Sequence, residues 1–285
     1  MNTNNGKHSF LFWLTIPVII LWMSISYVIG FVREKPEWYK KPVETKATDV
    51  KSYMQEYRQI SNNLDQAFIT FWFDDAWLSQ YLEAYPILKS YNYPATVAVP
   101  TDAIETPNYM NWSQLRVLRD NGWEISDHSR KHDCKMNTWE ESQISEELRM
   151  SKLILWKNRL SADIFVTPCG VDSDLMRLEA KKMFIGYRTV DPGFNNPTDF
   201  DFYNLKVKNI DNQVKIEEAK DWIKYAKENR LWLIIVFHKI GENVVNQEDE
   251  QFNTKLDDFK NIVEYVKSSE IQVIVPSQIM SAVII

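Results

Sequence analysis

From residue 64 to the C-terminus the chain alternates short apolar runs with longer stretches whose apolar positions recur at helical spacing. The runs are rich in β-branched and aromatic side chains and are bounded by turn residues, the pattern of strands. They predict strands at Ala67–Phe73, Ala95–Val99, Trp123–Ser126, Asp163–Thr167, Phe184–Val190, Tyr203–Lys208, Trp232–Phe237 and Ile271–Val275. The amphipathic stretches predict helices at Leu78–Ser90, Ser113–Asn121, Thr138–Arg159, Ser173–Lys182, Ile216–Glu228 and Leu256–Ser268. Ser113, Asn137 or Thr138, and Ser173 read as helix-starting caps, and Asn121-Gly122 as a helix stop. Repeated β-α units imply parallel strands. The expected fold is therefore α/β, an irregular (β/α) barrel of seven or eight strands. The irregularity is expected at the fifth connection, where Asp191-Pro-Gly-Phe-Asn-Asn-Pro197 reads as a loop instead of a helix.

Ahead of this body the pattern changes. Ser9 to Val32 contains no Asp, Glu, Lys or Arg, and an apolar run of that length can cross a bilayer. A cleaved signal peptide is the rival reading, but no small-x-small site follows the run, which is long for a signal core. The expected organisation is a tail over 1–10, a transmembrane anchor over 11–32, a juxtamembrane linker over 33–63 and a globular domain over 64–285. Lys7 precedes the span and Arg33, Lys35, Lys40 and Lys41 follow it. A count of flanking charge puts the domain in the cytoplasm, yet large domains translocate largely regardless of such charges.

Composition narrows the function. The 285 residues carry a formal net charge of −6, with no basic cluster interleaved with aromatics, which argues against a nucleic-acid surface. Only 7 glycines are present, too few to favour a glycine-rich phosphate cradle. The 11 Trp, 13 Tyr and 14 Phe belong mostly to the core, although aromatic faces also stack on sugar rings. Two cysteines, Cys134 and Cys169, make no disulfide framework. They read as unrelated thiols, as a bond bracing a site, or as soft metal ligands.

The chemistry concentrates at the predicted strand ends, where β/α barrels carry their active sites. Asp74 and Asp75 end the first strand, His128 the third, Thr167-Pro168-Cys169-Gly170 the fourth, Asp191 the fifth and His238 the seventh. Three of the 4 histidines in the chain fall on this rim, and the other, His8, precedes the span. A carboxylate with the His128-x3-His132 pair suits Zn²⁺ or a similar divalent ion with open positions. A second carboxylate beside it is placed to take a proton, and His238 to give one. Each feature has a plainer reading: Asp74-Asp75 as a helix cap, the two histidines as surface residues, His238 as a satisfied core histidine. Convergence of five segments on one rim favours hydrolytic chemistry over all three.

Phe71-Trp72-Phe73-Asp74-Asp75-Ala76 and His128-Ser129-Arg130-Lys131-His132, in this order, resemble the first two motifs of polysaccharide deacetylases, carbohydrate esterase family 4 with its NodB-homology domain. Glu83-Ala84-Tyr85-Pro86-Ile87-Leu88 and Tyr93-Pro94-Ala95-Thr96 are also similar to that family, and the resemblance runs from about Ala67 to the C-terminus. It implies that Asp74 is the catalytic base, that Asp75, His128 and His132 hold the metal, and that His238 is the general acid. The implied metal is Zn²⁺, with Co²⁺, Ni²⁺ or Mn²⁺ as substitutes. The implied substrate is an acetylated polysaccharide of the N-acetylglucosamine type in the cell envelope or outside it. That places the domain outside the cytoplasm on a single-pass anchor. The chain departs from the pattern at Ala76, where the family has Gly, and at Pro168-Cys169-Gly170, where it has Pro-Tyr-Gly. The backbone N–H of Cys169 stands where an oxyanion donor is expected. The fourth motif, which positions the base, has no clear match, and Arg188 is the candidate for it. A glycan-binding domain without turnover, and an O-acetyl esterase or amidase with the same metal site, are the alternative functions.

Overall fold

Phe68–Phe73 forms strand β1, buried at every position. Its side chains alternate between two apolar environments. Phe68 and Trp72 point into one cluster with Trp232, Ile234 and Val236. Ile69, Phe71 and Phe73 point into another with Leu233, Ile235, Phe237 and residues of the surrounding helices. The first cluster fills a barrel and the second seals the helices onto its outside. The computed structural model describes residues 63–241 and 251–284.

Each expected strand is present: β2 (Thr96–Val99), β3 (Glu124–Asp127), β4 (Ile164–Val166), β5 (Gly186–Pro192), β6 (Leu205–Asn209) and β7 (Trp232–Phe237) follow β1 in order around the sheet. β7 pairs with β1 from Phe68↔Trp232 to Phe73↔Phe237, closing a parallel seven-stranded barrel. Two further short strands, β8 (Lys239–Ile240) and β9 (Asn253–Thr254), pair with each other. The last strand, β10 (Gln272–Val273), is shorter than the expected Ile271–Val275 and pairs with Phe68 and Ile69. β2 meets β1 only at Trp72 and Phe73. β10 and β2 therefore share one edge of β1, and β10 fills the lower part of the gap. The β5–β6 pairing shifts register between Arg188 and Pro192. No helix crosses there, as the sequence led one to expect.

The helices are α1 (Tyr85–Ser90), α2 (Trp112–Asp120), α3 (Glu141–Lys157), α4 (Asp174–Lys181), α5 (Ile216–Asn229), α6 (Leu256–Ser269) and α7 (Pro276–Ile284). The expected helix Leu78–Ser90 is a π turn over Gln80–Ala84 running into α1, with Tyr85 N–H donating to Gln80 O. Ser173 caps α4 as expected, its side chain accepting from Met176 N–H. The other caps differ. Asn111, not Ser113, caps α2 in a reciprocal box with Gln114. Glu140, not Asn137 or Thr138, caps α3 with Gln143, because Met136–Thr138 forms a separate 3-10 turn. Helix α7 was not expected. Pro276 starts the helix, whose Ile279, Met280 and Ala282 join Phe68 and Trp232 at the barrel floor. A Cβ at position 186 would lie 2.7 Å from Met280 Cε, so a side chain there would displace the tip of Met280.

Among the described residues no helix is long and apolar enough to cross a membrane. The expected span over 11–32, with the tail and nearly all of the linker, lies outside them.

Candidate active site

Asp74 continues the inward alternation of Phe68 and Trp72 and is buried, 4% exposed. Its backbone N–H donates to Phe237 O at 2.9 Å, tying the ends of β1 and β7 together. Gln80, fully buried, reaches both ends: Nε2 donates to Asp74 O and, at 2.9 Å, to His238 O. Arg188 projects from β5 into the barrel, 0% exposed, with its guanidinium 4.9 Å from the Trp72 ring centre. Its Nη2 donates to both oxygens of Asp74, at 2.5 and 2.6 Å. On the other side His238 Nε2 lies 3.9 Å from Asp74 Oδ2. The Phe252 ring lies 4.8 Å from the His238 ring.

Asp75 and Ala76 both have positive φ, 71° and 56°. This bends the chain out of β1 and turns Asp75 away from Asp74. It also explains why glycine suits position 76: the left-handed region disfavours a Cβ. Asp75 Oδ1 faces His128 Nε2 at 3.4 Å and His132 Nε2 at 3.2 Å. These donors match a tetrahedral zinc site, in which ligands about 2.0–2.1 Å from the ion lie roughly 3.3 Å apart. The tautomer also fits. His128 Nδ1 lies 3.0 Å from Val166 O, so Nδ1 carries the proton and Nε2 keeps its lone pair for a ligand role. The three groups lie within reach of one another. Burial alone would raise Asp75, but hydrogen bonds to His128 and His132 hold it well below the usual carboxylate range. Burial alone would lower His132, but the hydrogen bond and charge of Asp75, with the charge of Asp74, raise it.

The His-x3-His turn is braced from behind by α3. Glu147 accepts from the N–H groups of Arg130 and Lys131 at 3.1 and 2.6 Å. Ser129 Oγ accepts from His132 N–H at 3.0 Å. Asp127 accepts from Ser129 N–H and Ser151 Oγ at 2.9 and 2.8 Å, and burial outweighs these bonds to push it up to about 7. Gln80 and Glu147 escaped the sequence reading. The readable signal for Glu147 was its place on the apolar stripe of α3, with Ile144, Leu148, Ser151 and Leu155. A charge on such a face needs a partner.

Cys169 sits on a 3-10 turn, Pro168–Gly170, with φ of 53°. It is joined to Cys134 by a disulfide, with a Cα–Cα distance of 5.3 Å. The reading of two unrelated thiols is thereby corrected. The soft-ligand reading falls with it, since bonded sulfurs are not thiolates. The bond links the loop after β4 to the loop carrying His132, and Cys169 Sγ lies 4.0 Å from His132 Nδ1. Asp191 is not drawn into the constellation; it pairs with Lys206 Nζ at 3.0 Å.

A closed parallel β/α barrel here gathers carboxylates and imidazoles on one rim, the side on which such barrels carry their active sites. Residues 61–190 match the family model described as polysaccharide deacetylase. Solved structures share the fold at low identity. The Xyl-CE4 domain of a multidomain xylanase from the hindgut metagenome of Trinervitermes trinervoides is 16% identical over 76% of this chain and 90% of that one, with a TM-score of 0.53. A family 4 carbohydrate esterase from Streptomyces lividans, in complex with acetate, is 15% identical over 73% and 91%, with a TM-score of 0.50. A family 4 pseudoenzyme from Bacillus anthracis is 14% identical over 76% and 66%, with a TM-score of 0.55. A search of the curated proteins gave no match.

Proposed function

We propose that this chain is a metal-dependent deacetylase that hydrolyses N-acetyl groups on a polysaccharide of the N-acetylglucosamine type. The observation that carries this reading is the pairing of a three-donor cluster, Asp75, His128 and His132, with a separate carboxylate, Asp74, held by Arg188. Asp75, His128 and His132 would hold a divalent ion such as Zn²⁺, which would supply Lewis acidity toward the acetyl carbonyl and bring the pKa of bound water toward neutrality. Asp74 accepts the proton of the attacking water. Arg188 fixes both of its oxygens, so the base does not turn away. The new C–O bond forms as the water oxygen reaches the carbonyl carbon. The N–H of Cys169 is the proposed donor to the developing oxyanion. His238 Nε2 then gives a proton to the sugar nitrogen as the C–N bond breaks, leaving acetate and a free amine.

The test is acetate release from N-acetylglucosamine oligomers and polymers by zinc-loaded protein. No release across a panel of such substrates sinks the proposal. Release from O-acetylated sugars alone would turn it toward an esterase.

We further propose that the domain works outside the cytoplasm on an anchor formed by 11–32. The envelope location of such polymers and the Cys134–Cys169 disulfide support this, because disulfides persist in oxidising compartments. Maleimide labelling of the protein in intact cells or membranes is expected to require prior reduction. Labelling without a reductant places the domain in a reducing compartment and removes this proposal.

A further inference from the structure

We infer that Trp77 is a positioning residue for the ion-binding carboxylate: its clamped indole N–H fixes Asp75 so that a single oxygen faces the two imidazoles. The inference rests on the metal-dependent reading above.

The two consecutive left-handed residues, Asp75 and Ala76, fold the chain back so sharply that Trp77 reaches its own near neighbour. Trp77 Nε1 donates to Asp75 Oδ2 at 3.0 Å, while Oδ1 faces the histidines. The carboxylate thus divides its work, one oxygen to a hydrogen-bond donor and the other to the ion. An unrestrained carboxylate can rotate or chelate through both oxygens, closing a coordination position that water and substrate need. An indole suits the task because it is a donor only. It cannot become a ligand itself, as a histidine at this position would.

The indole is in turn fixed in place. Its ring stacks on Tyr109 with centroids 4.2 Å apart and planes 26° apart. Lys239 Nζ lies 4.0 Å from the ring centre. The backbone of Trp77 bridges that of Tyr109, with Met110 N–H donating to Ala76 O at 2.9 Å and Leu78 N–H to Asn108 O at 2.7 Å. A cation over the ring draws electron density from the π system and makes the N–H a stronger donor. Lys239 directly follows His238, so the clamp also ties the ligand turn after β1 to the strand end that carries the proposed acid.

Supporting residues around metal ligands commonly contribute about 10–100-fold to affinity. Trp77→Phe keeps the stacked ring and removes only the N–H. Zinc titration by calorimetry is expected to show 10–100-fold weaker binding than wild type, with an unchanged circular dichroism spectrum. In ¹⁵N-labelled wild type, zinc is expected to shift the Trp77 indole N–H resonance, assigned through its own backbone connectivity. Zinc affinity of W77F within about twofold of wild type, far below that range, overturns the inference and leaves the metal reading standing. An indole resonance unmoved at saturating zinc also overturns it, and this measurement decides if W77F does not fold. Absence of zinc binding by wild type removes both.

Discussion

Asp74→Asn is expected to lower the rate of acetate release by about 10²–10⁴-fold, the usual contribution of a positioned proton acceptor, while zinc affinity stays within a few-fold of wild type. The geometry separates the two effects. Asp74 lies outside the donor group of Asp75, His128 and His132, so the amide removes no ligand. Asn keeps the size of Asp and can still accept from Arg188, but it cannot take a proton at neutral pH. Stability needs its own control. Arg188 is fully buried and loses its counter-charge. Breaking a buried pair from one side costs as much as about 3–5 kcal/mol. Single-turnover acetate release should therefore be measured below the variant's melting transition, with zinc titration on the same sample. A variant that retains a tenth or more of the wild-type rate would show that Asp74 is not the base. Loss of zinc binding would instead place Asp74 among the ligands.

His128→Ala is expected to remove both zinc binding and activity, with affinity falling by more than the roughly 100-fold that a supporting residue contributes. His128 is 2% exposed, its ring set by the Val166 carbonyl. A water entering the space left by the ring gains little room to substitute for it. His132 has a freer environment, with a side chain 32% exposed, so a water can replace its ring more readily. The expected order of zinc affinity is wild type, then H132A, then H128A. Equal affinity in H128A and wild type would dissolve the three-donor site, whatever the activity.

Much of this was readable before the fold was known. Trp232–Phe237 is apolar at every position because one face fills the barrel and the other carries helices, and its limits come out unchanged. The strand-end rule brought Asp74, His128 and His238 to one rim, since parallel strands end together on one side of a closed barrel. Arg188, the candidate for the motif that positions the base, does meet Asp74. What escaped was decided by contacts distant in sequence. No local pattern marks Gln80, whose partner His238 lies 158 positions away. Helix α7 was hidden because its apolar run continues directly from β10, and only the barrel floor distinguishes them. Cys134 and Cys169 are 35 positions apart, and nothing in their spacing says that the third and fourth strand-end loops meet.

The arrangement around β1 bears on how the protein is made. Strand β1 borrows half of one edge from β10 and the floor beneath it from α7, both far downstream of it in the chain. Its other edge waits for β7. Until these distant segments are in place, the folding barrel carries an open seam beside Phe68 and Trp72, the kind of strand edge that recruits other chains. Native closure thus waits on contacts between segments distant in sequence. An extension fused directly after α7 meets the barrel at its seal.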